Sequence, residues 1–422
     1  MSNVMREIWL LGRNRAALAA LLLLAVFAAA GVAIGLANVA RDSAMIERML
    51  AGQPAEEAAV AGFVKDAGYG AYYGFQPVWD PPSDLAFAAL GNRDIAPAIL
   101  RVRSLSLEAQ LYENESANPE LSLAGRFDLV FITIYIAPLV LIALLHDMWS
   151  GEREAGRLFM LSSLPGARRR LWTVRIAVRI AGVLAALLIP FAVGAILAGT
   201  ALPRVLAFGG LITLACLFWS AVILLVARRG SSSVVNAATL ASIWFALTLV
   251  VPAAANLVIN ASVPVPDGAE LARENREFVH GAWDRPREQT MDAFLALYPQ
   301  HAAGSALPPT FHYKWYFAFQ HLGDLHVAEQ SQAYRDGIAG RAAYARAAGW
   351  LLPPAGIAQA MTALAGTDVT AQLEFQQRIR AYHTRLREYY YDYLFSERPF
   401  DLSILANVPR FDPADDNSAG AD

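Results

Sequence analysis

The residues most able to do chemistry are the histidines, of which the chain has seven. The densest group is His312, His321 and His326, with Asp324 and Glu329 close by in sequence. These types could bind a metal or serve as a general base, and a membrane hydrolase built on them is one function class to weigh. The spacing argues against it. His321 and His326 are five residues apart, so a regular helix directs them about 140° apart, unlike the i, i+4 pair that shares one metal. Structural or solvent-facing roles are expected. The sequence has no G-x-S-x-G or H-E-x-x-H motif, so no catalytic, cofactor-binding or metal residue is assigned. A phosphate-cradling G-x-x-x-x-G-K-[ST] loop is also absent, and the only lysines are Lys65 and Lys314. Any ATP-driven work therefore requires ATP and magnesium to be held by a separate subunit.

A different signal lies between His146 and Arg179, where HDMWSGEREAGRLFMLSSLPGARRRLWTVRIAVR separates two long apolar runs. Its acids, Gly-Pro punctuation and arginines must meet water at one membrane face. Glu152, Glu154, Gly156 and Arg157 precede a Ser163-Leu164-Pro165 stop and the Arg168, Arg169, Arg170 cluster, a pattern suited to docking a partner protein. A merely solvated charged hairpin is the plain alternative. Arg175 and Arg179 fit snorkelling to lipid phosphate or contact with a partner. Ser231 to Ser233 follow Arg228-Arg229-Gly230, where a helix N-cap accounts for them.

These residues are carried by an apolar chain. Over 422 residues it is 56% hydrophobic with a mean hydropathy of +0.35, which points to an all-α polytopic membrane protein. Five stretches reach the roughly 20 residues that cross a hydrocarbon core: 16–39, 127–145, 180–202, 205–227 and 234–259. The segments 1–15, 146–179 and 228–233 together hold 12 basic and 4 acidic residues, whereas 41–125 hold 6 and 12. The positive-inside rule makes the first set cytoplasmic. Five spans then place residues 260–422, with 14 basic and 20 acidic residues, outside the membrane. The expected location is a bacterial inner membrane, with the N-terminus in the cytoplasm. The net charge of −3 offers nothing to a nucleic acid.

The first span exceeds the roughly 7 to 15 apolar residues of a secretory signal, so an uncleaved anchor is expected. Residues 1–15 fit an amphipathic interfacial helix or a frayed tail. Segments 40–126 and 260–411 read as mainly helical extracytoplasmic domains, and 412–422 as a disordered acidic tail. Within the second domain we expect a long helix from Tyr316 to Trp350, a buried break at Pro353-Pro354 and a helix from Ala371 to Phe395. That last helix has Phe375, Ile379, Tyr382, Leu386 and Tyr389 on one stripe. Cys216 is the single cysteine, so the outer domains have no internal disulfide.

Glu152-x-Glu154-x-Gly156-Arg157-Leu158, then Leu161-x-Ser163-x-Pro165 and the basic stretch, resembles the E-x-x-x-G-T-L-x-x-L-x-S-x-P signature of ABC type-2 exporter permeases. Arg157 stands where threonine is common, and Arg175 where lysine is frequent. The insertion after span one resembles the subgroup related to the permease of the nitrous oxide reductase maturation system. So do Leu352-Pro353-Pro354, Ala365-Gly366-Thr367-Asp368, Phe375 and Tyr382-His383-x-x-Leu386-Arg387. The resemblance implies a permease dimer, of two copies or of a copy and a paralogue, engaging two ATP-binding subunits. The docking residues would be Glu152, Glu154, Gly156, Arg157, Ser163, Pro165, Arg168, Arg169 and Arg170. It also implies six spans where five are visible. A non-transporting membrane scaffold or assembly factor, binding an extracytoplasmic partner protein, is the competing expectation.

Overall fold

A computed structural model describes residues 3–94, 96–113, 127–163, 167–396 and 401–414. Among the described residues the secondary structure is helical apart from one two-stranded ribbon, and five helices are long and apolar enough to cross a membrane. The N-terminal segment is a helix, α1 (Asn3–Arg13). It gives way at Asn14, whose side chain caps the next helix by accepting from the Ala17 N–H at 3.2 Å.

That next helix, α2 (Arg15–Ala61), is the largest departure from the sequence reading. The first span was expected over 16–39, yet the helix runs for 47 residues, about 70 Å at 1.5 Å per residue. Residues 40–61 contain no glycine-proline break before Gly62, only Gly52 and Pro54, and α2 passes through both. The insertion therefore starts as a rigid extension of the span. It continues through α3 (Ala67–Tyr73) into a two-stranded antiparallel ribbon, β1 (Gln76–Trp79) with β2 (Ile99–Val102), in the register Gln76↔Val102 and Trp79↔Ile99. This ribbon is a small exception to the all-helical expectation. A short α4 (Glu108–Glu113) follows.

The second membrane-length helix begins where Asp128 caps it, accepting from the Phe131 N–H at 2.8 Å and from the Leu90 N–H at 3.0 Å. It passes through a π turn, Ile132–Ile136, into α5 (Ala137–Leu145). A second π turn, Ala246–Val250, precedes Pro252 in the fifth span. Pro138 and Pro252 lack an N–H and crowd the carbonyl four residues back, which falls inside each π turn, so the widened turns accommodate them.

Two short helices, α6 (Ser150–Glu154) and α7 (Leu158–Ser163), lead to α8 (Ala167–Leu197), α9 (Leu202–Ala227), α10 (Ser233–Phe245) and, beyond the π turn, α11 (Val251–Ser262). The third span, expected over 180–202, stops at Leu197. Gly199 has φ +68°, and the Thr200 and Gly199 N–H groups cap the carbonyls of Ala195 and Ile196, a Schellman stop that only glycine enters freely. Pro203 then fits the first turn of α9, starting that helix earlier than the expected Val205.

Beyond the spans lie α12 (Gly268–Gly281), α13 (Arg287–Leu297), α14 (Tyr313–His326), α15 (Ala328–Leu351), α16 (Pro353–Ala365), α17 (Val369–Phe395) and α18 (Ser403–Ala406). The helix expected from Tyr316 to Trp350 is two, broken at Val327. On α17 the expected stripe is buried from Phe375 to Leu386, but Tyr390 rather than Tyr389 continues it.

Two apolar cores organise the chain. One unites the spans with Leu85 and Phe87 of the insertion and with Ile357, Met361 and Ala365 of α16. The other is built jointly by the two segments read separately in sequence. Val78, Val102, Leu107 and Tyr112 of the insertion pack with Phe294, Phe317, Tyr382 and Tyr391 of the C-terminal part. The acidic end from residue 415 lies outside the described residues. Phe411 just before it is buried against Trp79 and Tyr382.

Candidate functional site: the loop between the second and third spans

The E-x-E-x-G-R spacing has a local cause. Helix α6 ends with Gly156 at φ +70°. The Arg157 N–H reaches back to the Glu152 carbonyl at 2.8 Å and the Gly156 N–H to that of Arg153 at 2.9 Å. This is the Schellman motif again, and it fixes the turn from α6 into α7. It also brings the side chains of Glu152 and Arg157 together, Nε to Oε2 at 2.8 Å.

The rest of the site comes from far along the chain. The other Glu152 oxygen, Oε1, accepts from Arg175 Nη1 at 3.0 Å. Arg175 Nε in turn donates to Glu7 of α1 at 3.2 Å. Glu7 is only 5% exposed, so α1 is an anchored part of the site rather than a loose tail. Glu154 grips the turn before α10, accepting from the Ser233 N–H at 2.7 Å and its Oγ at 3.0 Å. Arg153 donates to the Ser231 carbonyl. Ser232 supplies the N-cap of α10, accepting from the Val235 N–H at 3.4 Å. Arg179 points inward to the Leu144 carbonyl and Met148 Sδ.

Of the residues singled out in sequence, Glu152, Glu154, Gly156 and Arg157 thus meet in one structure. Ser163 is exposed and its Oγ donates to the Met160 carbonyl at 2.9 Å, ending α7 without joining the cluster. Pro165 lies outside the described residues. Arg168, Arg169 and Arg170 form the first backbone turn of α8, and their side chains are likewise not described. Two contributors were missed. Glu7 lies 168 residues from Arg175, and no local pattern reveals that pairing. Phe159 and Met160, 87% and 59% exposed on α7, were hidden in an apparently ordinary apolar run. They form an apolar tip held out by an ion-paired base.

The histidine group takes different roles. His312 caps α14, its Nδ1 accepting from the Lys314 N–H at 3.1 Å. His326 stacks on Phe278 at 4.5 Å. His321 is buried, with Nδ1 accepting from Arg387 and Nε2 donating to the Tyr298 hydroxyl at 3.2 Å. That network assigns its tautomer. Burial, followed by the Arg387 charge, depresses its pKa to about 3, so the ring is neutral. Asp324 accepts from Ser106 Oγ at 2.6 Å and from the Leu107 and Glu108 N–H groups at 2.9 and 3.0 Å. It thereby caps α4 and fastens the insertion to the C-terminal part. Burial works against the Glu108 carboxylate, but the bidentate Arg380 guanidinium at 2.7 and 2.9 Å holds it below the usual range. Among the described residues no group of three His, Cys, Asp or Glu side chains is arranged to hold a metal.

Residues 269–414 match a family described as a domain of unknown function, DUF3526. The DUF3526 region begins in α12 and ends just after the buried Phe411, so it covers the C-terminal share of the second core and the α15–α16 hairpin. No curated protein and no solved structure matches the chain.

Proposed function

We propose that this chain is the membrane-spanning permease subunit of an ATP-driven ABC exporter or extractor, working with an ATP-binding subunit and a second permease copy or paralogue. The supporting observation is the loop itself. An apolar tip, Phe159 and Met160, stands on a base tied through Glu152 and Arg175 to α8 and α1, and through Glu154 to α10. A partner pushing on that tip loads three helices at once.

The load has a route outward. Helix α2 is continuous over 47 residues. At its far end Gln53 Nε2 donates to the Phe75 carbonyl at 3.1 Å, just before β1. Part-way along, Gly35 lets the Phe87 backbone lie directly against the helix, and Phe87 stacks in series with Phe191 and Phe208 of α8 and α9 at 6.1 and 5.0 Å. Closure of the nucleotide-binding partners would thus be transmitted to the outer domain as rigid-body motion. In this reading the loop faces the cytoplasm of a bacterial inner-membrane protein and residues 260–414 lie outside.

Co-purification of the full chain with an ATP-binding subunit, followed by ATPase assay in vesicles, tests the reading. Stimulated hydrolysis that disappears on reversing Glu152 and Arg157 supports it; the absence of any ATP-binding partner overturns it. The competing role is a non-transporting scaffold for an extracytoplasmic protein, favoured by the large jointly built outer core. Movement of a labelled substrate in the same vesicles separates the two.

A further inference from the structure

Outside the loop, a wide cleft lies between the spans and the α15–α16 hairpin. The hairpin closes tightly because Gly349 meets Gly356; a Cβ on Gly349 would fall 2.7 Å from the Gly356 Cα. Its α16 arm packs along α9 from Leu364, whose carbonyl accepts from Arg204 at 2.8 Å, toward the middle of that span. At the break expected to be buried, Pro354 is buried and Pro353 half-buried, but the two residues that end α15 stand exposed. Trp350 and Leu351 are 89% and 84% exposed, while the two prolines open α16, where a missing N–H costs nothing. Two large apolar side chains beside a membrane-length helix are ill placed in water and well placed in hydrocarbon.

The cleft has two connected chambers. The lower, of about 840 Å³, is lined by Leu214 and Phe218 of α9, Ile259 of α11, and Trp350 and Ala360 of the hairpin. The upper, of about 380 Å³, shares Asn92, Ile338 and Thr367 with it and reaches into the outer domain. Both volumes suit a small-molecule site, which runs roughly 300–1,000 Å³. Polar groups stand ready in each. Gln376 in the upper chamber is 7% exposed and its Oε1 has no hydrogen-bond partner among the described residues; the Oε1 of Gln359 in the lower chamber is likewise unpartnered. Arg341 and Arg346 line the lower chamber and neither forms an ion pair among the described residues. Arg341 donates to the Val263 and Asn260 carbonyls, and Arg346 to Thr370 Oγ1 at 3.2 Å. The one carboxylate on that lining, Asp368, caps α17 through the Ala371 N–H.

We propose that this cleft binds one anionic membrane phospholipid, with an acyl chain in the lower chamber, the phosphate at Arg346 and a headgroup hydroxyl donating to the free Gln376 Oε1. Apolar walls continuous with two membrane-length helices select a bilayer lipid, and unpaired guanidinium groups at the mouth select negative charge. The site stands whether or not an ATP-binding subunit docks at the opposite end.

The test is native mass spectrometry of the full chain, purified in neutral detergent and titrated with palmitoyl-oleoyl phosphatidylglycerol or phosphatidylcholine. One phosphatidylglycerol should be retained in preference to phosphatidylcholine by roughly fivefold, about the effect of one well-placed basic residue. Ala360→Trp, which places an indole in the path of the acyl chain through the lower chamber, should abolish that retention while the lipid-free melting transition is unchanged. Arg346→Gln, at the chamber mouth and away from both cores, should remove the headgroup preference but leave a lipid bound; it decides the matter if the tryptophan variant does not fold. Equal retention of both lipids by wild type, wild-type retention by a folded Ala360→Trp, or displacement of phosphatidylglycerol by an equimolar triacylated peptide would overturn the proposal.

Discussion

Arg175 and Glu152 meet at 3.0 Å between the third membrane-length helix and the loop that precedes it, and the same guanidinium holds Glu7 at 3.2 Å. One cation thus serves two carboxylates that would otherwise face each other in a partly buried space. Replacing Arg175 with Met leaves both acids without their main partner. The expected loss is about 1–3 kcal/mol, the cost of stranding a buried polar group, read as a lower melting temperature in detergent. Glu152→Gln should cost less, because Arg175 keeps Glu7. In the proposed complex both variants should uncouple ATPase stimulation more than they weaken partner binding.

Among the described residues of the loop, Gly156 is the one whose backbone demands glycine. At φ +70° with open space around it, Gly156→Ala meets no clash but pays the left-handed penalty of roughly 1–2 kcal/mol. The end of α6 should fray, and limited proteolysis should cut faster between Glu154 and Leu158. Gly156→Asn should restore much of the protection, since asparagine tolerates this conformation.

Phe159 makes almost no contact within the chain. Phe159→Asp should leave the melting temperature unchanged. If the tip is a docking anchor, affinity for the ATP-binding partner should fall at least about tenfold, or ~1.4 kcal/mol. Unaltered affinity would remove the tip from the interface.

His321 makes the second apolar core sensitive to acid. Its pKa is depressed to about 3 against an ordinary 6.5, so between those values the unfolded chain binds a proton that the folded chain does not. Stability is therefore complete above pH 6.5 and declines as pH falls toward 3, by about 1.4 kcal/mol per pH unit for each such proton. Buried His383, whose Nε2 faces the Arg103 carbonyl at 3.0 Å, is depressed in the same direction by burial and by Arg387. His321→Asn should lower stability at pH 7.5 yet flatten the slope between pH 6 and 4 by about one proton. Melting temperatures across that range provide the measurement.

Much of this was legible locally. A run of apolar residues long enough for a bilayer identifies itself, and so does the serine cap after Arg228-Arg229-Gly230, because it depends on neighbours within a turn. The stripe on α17 followed from its period, slipping only where Tyr390 replaces Tyr389. The extent of α2 was not legible in this way: no local signal showed that the helix of the first span would run unbroken through Gly52 and Pro54 to Ala61.

The amino-acid order by itself determined five bilayer-length helices, their charge-segregated connections and the glycine-closed turn of the loop, since hydropathy and backbone preference act over a few residues. Only the tertiary structure decided that Glu7 completes that loop, that Asp324 caps α4 and holds Ser106, some 218 residues earlier, and that Trp350 stands out beside a span. Those relationships depend on which distant surfaces come to share one core, and burial of apolar area, being non-directional, leaves no periodic trace of its partners in the chain.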